Sequence, residues 1–287
     1  MKSNLLIEER PLEKSWPEKV GVFLVVVVPL AATLFAITQL WQRYVNGLDL
    51  ALLLVFLLLA GLGITVGHHR LLTHRSFETY AWVKAVLLMC GAMAFEGPPG
   101  DWASTHLEHH AHSDADGDPH SPLVSLWHAH LGWTFTHVPR LEVYGPWLRK
   151  DKVVVFVDRT WWVWAVLGLA IPFALGGWTG LLWGGLVRVF LGHHVTWSVN
   201  SICHTFGTRR YATPDRSRNN WVVGLLAFGE GWHNNHHAFP RSAFHGLRWW
   251  EFDLSGLVIR GLEAVGLAWN VQRVSPEAER RRLRAAS

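Results

Sequence analysis

The 287-residue chain is half hydrophobic and only 17% charged, with a formal charge of +4, a pI near 9.3 and a mean hydropathy of +0.15. That balance excludes a disordered chain and a collagen-like repeat, and with Cys90 and Cys203 as its only cysteines the chain is no disulfide scaffold. The bases form no stripe interleaved with aromatics, so a membrane surface suits this charge better than nucleic acid does.

Residues 1–19 carry Glu8, Glu9, Glu13 and Glu18, which a secretory signal peptide does not tolerate, so the apolar run that follows is expected to be retained. A membrane helix needs about 20 mostly apolar residues. Four stretches meet that need: 20–40, 48–67, 161–177 and 178–197. The third opens on Trp161, Trp162 and Trp164, an aromatic cluster of the interfacial kind. The fourth contains Arg188, which is expensive in a span and must either snorkel to the interface or find a partner. Short connections predict two helical hairpins. The stretch from Tyr80 to Phe95, interrupted by Lys84 and Gly91, reads as an interfacial or partly sunk helix. Segments 1–19, 68–160 and 198–287 then share one side. Their arginines, among them Arg209, Arg210, Arg280, Arg281, Arg282 and Arg284, make that side cytoplasmic.

Histidine is the anomaly, with 18 against 6 lysines. His69 and His74 close the second span, His106, His109 and His110 form a second group, and His233, His236 and His237 a third. A further piece, Asn200 to His204, follows the last span. In the second and third groups the spacing i, i+3, i+4 puts every imidazole on one helix face. His69 and His74, at i and i+5, fall about 140° apart on an α-helix and are predicted to serve separate metals. Neutral imidazole is the commonest protein metal ligand. Nine of them exceed what one tetrahedral zinc can use, and there is neither a His-Glu-x-x-His motif nor a cysteine set for an iron–sulfur cluster. Two redox-active irons fit better, although affinity order alone does not choose iron. His112, His120, His128, His130 and His137 lack the pattern and are expected in supporting roles. His68, His193, His194 and His245 read as ordinary polar residues. Asp114, Asp116 and Asp118 could orient ligand imidazoles or simply cap a helix.

With these residues in view, the chain resembles the membrane fatty-acid desaturases of the Δ9, stearoyl-CoA desaturase-like branch. The likeness rests on Gly67-His-His-Arg-Leu-Leu-Thr-His-Arg-Ser-Phe77, Trp102-Ala-Ser-Thr-His-Leu-Glu-His-His110 and Asp118-Pro-His-Ser-Pro122. It continues through Thr196-Trp-Ser-Val-Asn-Ser-Ile-Cys-His204 and Gly229-Glu-Gly-Trp-His-Asn-Asn-His-His237. The resemblance implies an all-α integral membrane protein of four transmembrane helices in two hairpins, with a cytoplasmic helical cap holding a di-iron site. Residues 20–270 would be the desaturase domain, 1–19 a cytoplasmic segment and 271–287 a basic tail. It implies one iron on His69, His106, His110 and His236 with Asn200 acting through a water, and the other on His74, His109, His204, His233 and His237.

The implied reaction is O2-dependent removal of two hydrogens from adjacent methylenes, leaving a cis double bond. The implied acyl tunnel bends at Trp102, Thr196 and Trp197, with Glu96 where animal relatives have glutamine; a carboxylate there must be protonated, paired or placed at the mouth. Leu57 and Gly61 stand where relatives stop the chain with a bulky tyrosine and a small residue, which predicts a deep tunnel for about C18 chains by helix rise. The cations that bind CoA in animal relatives are replaced by Ser104-Thr105 and His137-Val138, with Arg140, Arg149 and Lys150 nearby. The substrate is therefore an acyl chain linked to CoA, lipid or a carrier. No haem or ferredoxin segment is visible, so a separate electron donor of ferredoxin or cytochrome b5 type is expected, in a plasma membrane if the source is bacterial. A histidine-box hydroxylase or ketolase is the nearest alternative. A metal-binding membrane protein such as a transporter would need histidines or carboxylates near mid-membrane.

Overall fold

The computed structural model describes residues 13–41 and 45–284, so Glu8, Glu9 and the last three residues lie outside it. Helix α1 (Trp16–Trp41) starts where the Glu18 carboxylate accepts the Ser15 backbone N–H at 2.7 Å, satisfying a donor the helix would leave unpaired. Helix α2 (Gly47–Leu62) begins with a capping box between Asn46 and Asp49 and runs on as a π-helix through Gly63–Thr73. Helix α3 (Ala81–Ala92) packs on that π segment so closely that a Cβ on Gly63 would lie 2.0 Å from the Gly91 nitrogen. Helix α4 (Pro99–His112), with proline in its first turn, carries the second histidine group. Two four-residue turns, α5 (Trp133–Thr136) and α6 (Leu141–Tyr144), lead to the longest helical run.

That run comprises α7 (Lys152–Gly180), a π segment (Leu181–Val187) and α8 (Arg188–Ser201). It starts at Lys152 rather than 161, because the Asp151 carboxylate caps the Val153 and Val154 N–H groups. At Gly177, φ 60° and ψ −146° break the helix in a region that only glycine occupies readily. The run doubles back there: a Cβ on Gly184 would meet Pro172, and Arg188 Nη2 donates to the Gly168 carbonyl at 3.0 Å. Among the described residues three helical runs, Trp16–Leu40, Gly47–Thr73 and Lys152–Ser201, are long and apolar enough to cross a membrane.

Arg188 does not snorkel. It is 1% exposed and donates to the carbonyls of Met93 (2.5 Å) and Gly168 (3.0 Å), backbone acceptors from two other segments. Beyond α8 lie α9 (Trp221–Leu226), α10 (His233–Ala238), α11 (Leu254–Ala264) and α12 (Pro276–Arg284). The described residues contain one sheet, a two-residue antiparallel pair of β1 (Glu78–Thr79) and β2 (Ala268–Trp269), a small departure from the all-α expectation. The π segment, α11 and β2 share a core of Val66, Leu71, Phe77, Phe244, Ile259 and Ala268, which fixes the C-terminal region against the first histidine group.

Candidate metal centre

The π-helical winding decides where the first histidines point. His74 N–H bonds to the His69 carbonyl at 3.0 Å, an i+5 contact of the wider helix. A wider turn brings i and i+5 to the same side, so His69 and His74 lie with ring centroids 4.7 Å apart. The α-helical geometry that separates them does not apply. The nine imidazoles accordingly gather as five and four: His69, His74, His106, His110 and His236 in one group, and His109, His204, His233 and His237 in the other. His74 stands with the first group, not the second. The two groups adjoin, with His110 and His237 stacked at 4.5 Å.

Carboxylates hold the outer nitrogens. Glu230 lies 2.7 Å from His69 Nδ1, Asp118 2.9 Å from His109 Nδ1, Asp114 2.7 Å from His204 Nδ1, and Asp215 2.9 Å from His237 Nδ1. Each contact places a proton on Nδ1 and leaves a lone pair on Nε2 pointing inward. Those inward nitrogens crowd: His233 Nε2 is 3.0 Å from His204 Nε2 and 3.1 Å from His237 Nε2. A single N–H on His233 cannot serve both neighbours, whereas one cation satisfies them all. Burial, and then the neighbouring imidazoles, hold His106, His109, His233, His236 and His237 well below the usual histidine range, and His110 near 3. Neutral imidazoles with converging lone pairs are a metal-ready donor set.

Asp114 and Asp118 thus orient ligand candidates, while Asp116 of the same turn is exposed. Asp215 and Glu230 escaped the sequence reading, although Glu230 stands inside the third motif. Arg70, fully buried, donates to Glu230 at 3.0 Å and to Asp253 at 2.9 Å, tying the first motif to the third. His245, read as an ordinary polar residue, is buried with its ring 4.5 Å from that of His236 and its Nδ1 3.1 Å from Glu230. Of the supporting histidines, His120 packs on His109 at 4.2 Å, His112 meets the Tyr144 hydroxyl at 2.9 Å, and His130 bonds His194 at 2.9 Å.

An apolar cavity ends at this cluster. Its lining runs from Leu57, Ala60, Gly61 and Ile64 to His69, His106, His233 and Asn200. Trp102, Thr196 and Glu96 line it. The Glu96 carboxylate is paired: it accepts from Trp102 Nε1 at 2.9 Å and from Thr196, and burial raises its pKa to about 7. Trp197 does not line the cavity; it is buried and stacks on His193 at 4.9 Å. On α8 the cavity takes the face with Val195, Thr196, Val199 and Asn200, and Trp197 points away from it toward His193. The space before Gly61 is filled, because a Cβ there would lie 2.1 Å from Phe228 Cε2. At the positions that bind CoA in animal relatives, Thr105 Oγ1 lies 3.2 Å from His137 Nε2, Arg140 is engaged by Glu108, and Arg149 by Glu142 at 3.0 Å.

Residues 48–256 match the family model described as fatty acid desaturase. The chain is 45% identical over 224 residues to the sn-1 stearoyl-lipid 9-desaturase of Anabaena variabilis, covering 77% of this chain and 82% of that one. It is 42% identical to Delta-9 acyl-lipid desaturase 1 of Arabidopsis thaliana, over 80% of this chain and 77% of the relative. It is also 41% identical to the hex-5-enoyl-[acyl-carrier protein] acetylenase of Moorena producens (strain JHB), over 86% and 84%.

Proposed function

The chain belongs to the fatty acid desaturase family, and from that premise we propose that it introduces a cis double bond at the Δ9 position of a saturated acyl chain carried on a glycerolipid. Two relatives whose names specify Δ9 and lipid support the position and the carrier. Arg140 and Arg149 are engaged by carboxylates, but Lys150, Lys152 and Arg159 line a surface pocket with Arg149, so the carrier rests on the relatives' names rather than on the local charge.

The metals of this reading are two irons, one among His69, His74, His106, His110 and His236, the other among His109, His204, His233 and His237. Asn200, on the cavity side, acts through a water. The metal pair supplies O2 activation, which breaking an unactivated C–H bond requires. The balance is two hydrogens from the chain, one O2, two electrons and two protons, giving the alkene and two waters. The protein's own residues do the rest. Apolar walls from Leu57 to Ile64 hold the methylenes, the Trp102–Glu96–Thr196 brace shapes the passage beside His106, and Asp114, Asp118, Asp215 and Glu230 fix the imidazole orientations.

The helical run reversing at Gly177 makes four membrane crossings with the two runs before it, in a desaturase domain of residues 20–270. Residues 1–19 and the basic tail 271–287 lie with the histidines on the cytoplasmic side, which the arginine distribution favours. Electrons arrive from a separate ferredoxin or cytochrome b5 type protein. A hydroxylase or ketolase reading has no observation in its favour.

The observation that carries the proposal is that His69, His106 and His233 line the same apolar cavity as Leu57 and Gly61, so a chain lying in it presents methylenes to the metal-ready nitrogens. The test gives purified enzyme, with reduced ferredoxin, stearate on a glycerolipid in proteoliposomes, on CoA and on acyl carrier protein. Oleate on the glycerolipid is expected. Product confined to CoA or the carrier protein overturns the head-group reading.

A further inference from the structure

We propose that Phe228 determines acyl-chain specificity: its ring, seated on Gly61, is the wall against which the methyl-ward part of the chain is measured. The proposal rests on the desaturase reading and adds a residue that neither the histidine motifs nor the family match singles out.

The cavity has three sides. One is the α2 face with Leu57, Ala60, Gly61 and Ile64, the second is the α8 face with Val189, Val195 and Val199, and the third is the segment Leu226–Phe228 after α9. Gly61 lies eight residues before His69, about 10–12 Å along the helix. Phe228 lies two residues before Glu230, whose carboxylate is 2.7 Å from His69 Nδ1. The Phe228 ring and the Glu230 carboxylate, two residues apart, thus reach the helix at Gly61 and at His69, so this short segment ties the far part of the cavity to the metal-ready end.

The ring's position is imposed. Phe228 has φ 56°, a left-handed conformation unfavourable for an aromatic residue. It is held there by the Ser255 N–H, which donates to the Phe228 carbonyl at 3.0 Å, and by the Gly229 N–H to Gly224 at 2.8 Å. Ser255 is itself tied to the π-helical segment through its hydroxyl, 2.7 Å from Thr65 Oγ1. The result is a phenyl ring fitted to the one position on that helix face without a Cβ: an added Cβ would stand 2.1 Å from Cε2 and 2.9 Å from Cδ2. Gly61 is small so that Phe228 can sit on it. Leu226 lines the cavity and is also 54% exposed, so the wall beside Phe228 is one side chain thick at Leu226.

A methylene more or less in an apolar pocket changes selectivity about 10–200-fold. Gly61→Ala, which drives the ring into the cavity, is expected to lower the ratio of long to short chains desaturated by about tenfold or more. Phe228→Ala should raise that ratio, and Phe228→Ala combined with Gly61→Ala should behave like Phe228→Ala alone, because the three atoms nearest the added methyl all belong to the Phe228 ring. The experiment supplies each enzyme with a competing mixture of saturated chains of graded length and reads the unsaturated products, with bound metal and thermal unfolding in detergent measured in parallel. Phe228→Leu, which keeps an apolar contact, supplies a graded intermediate should the alanine variant fail to load metal. Unchanged length profiles in a desaturating enzyme, or single-variant shifts that simply add in the double variant, overturn the role of Phe228. A wild type that forms no alkene overturns the desaturase reading instead.

Discussion

Replacing Asp114 by asparagine should weaken metal binding by about 10–100-fold, the usual effect of losing a partner behind a ligating histidine. That corresponds to about 1.4–2.7 kcal/mol. The substitution is unusually clean. Asp114 sits at φ 57°, which asparagine tolerates nearly as well as any residue but glycine, so the turn keeps its backbone. One carboxylate oxygen lies 2.7 Å from His204 Nδ1 and accepts the Arg216 N–H at 2.7 Å; an amide oxygen can keep both contacts but not the charge. What is lost is the charge assistance that polarises the imidazole toward its metal. The assay is metal content after challenge with graded chelator, read by elemental analysis, with Asp116→Asn from the exposed part of the same turn as control. Asp114→Asn should release half of its metal at a chelator concentration about 10–100-fold lower than wild type. Equal retention by Asp114→Asn, Asp116→Asn and wild type would refute the claim that these carboxylates tune the site.

Glu96, with its pKa raised to about 7 chiefly by burial, is neutral below that pH and charged above it. A charge in the wall opposes an apolar chain, so activity should fall as pH rises through about 7 and Glu96→Gln should flatten the profile; superimposable profiles would contradict this. The sign for stability is parallel. The folded state holds this proton to higher pH than the unfolded one, so stability falls between the ordinary carboxyl value of 4.5 and about 7, and Glu96→Gln should raise the unfolding midpoint more at pH 8 than at pH 5. Gly177→Ala, at φ 60° and ψ −146°, should cost about 1–3 kcal/mol in thermal unfolding, while Gly21→Ala, inside α1 with no neighbour to meet, should stabilise by about 0.5–1 kcal/mol. Stripping the metal should abolish turnover and lower the unfolding midpoint, and ferrous iron should restore both, because a cation that binds only the folded chain stabilises it.

Much of the site was legible because its chemistry has a period. The spacings at His106, His109 and His110 and at His233, His236 and His237 describe one helix face, and α4 and α10 present them so. What was not legible depends on departures from that period or on loops that have none. Nothing in Gly63–Thr73 announces a π-helix, so His69 and His74 read as divergent although they meet. Asp215 reaches His237 from across a loop, at a separation no motif encodes. Glu230 was visible inside the motif, but its partner Arg70 is 160 positions before it, and Asp253, the second carboxylate on Arg70, is 23 after it. Trp197, adjacent to Thr196 in sequence, stacks on His193 instead of lining the cavity, a choice of face that no motif encodes. The membrane runs were readable from composition. Their ends were not, because Asp151 and the π segment extend them past the apolar core.

The central claim is that nine converging imidazoles at the end of an apolar cavity desaturate an acyl chain. It is tested most directly by profiling fatty-acid methyl esters, with double-bond location, in cells lacking their own desaturase and expressing either wild type or His110→Ala. A new cis-Δ9 acid with wild type, and none with His110→Ala at equal expression, is the predicted result. A hydroxylated or ketone product from wild type, or an alkene that persists in His110→Ala, would contradict it.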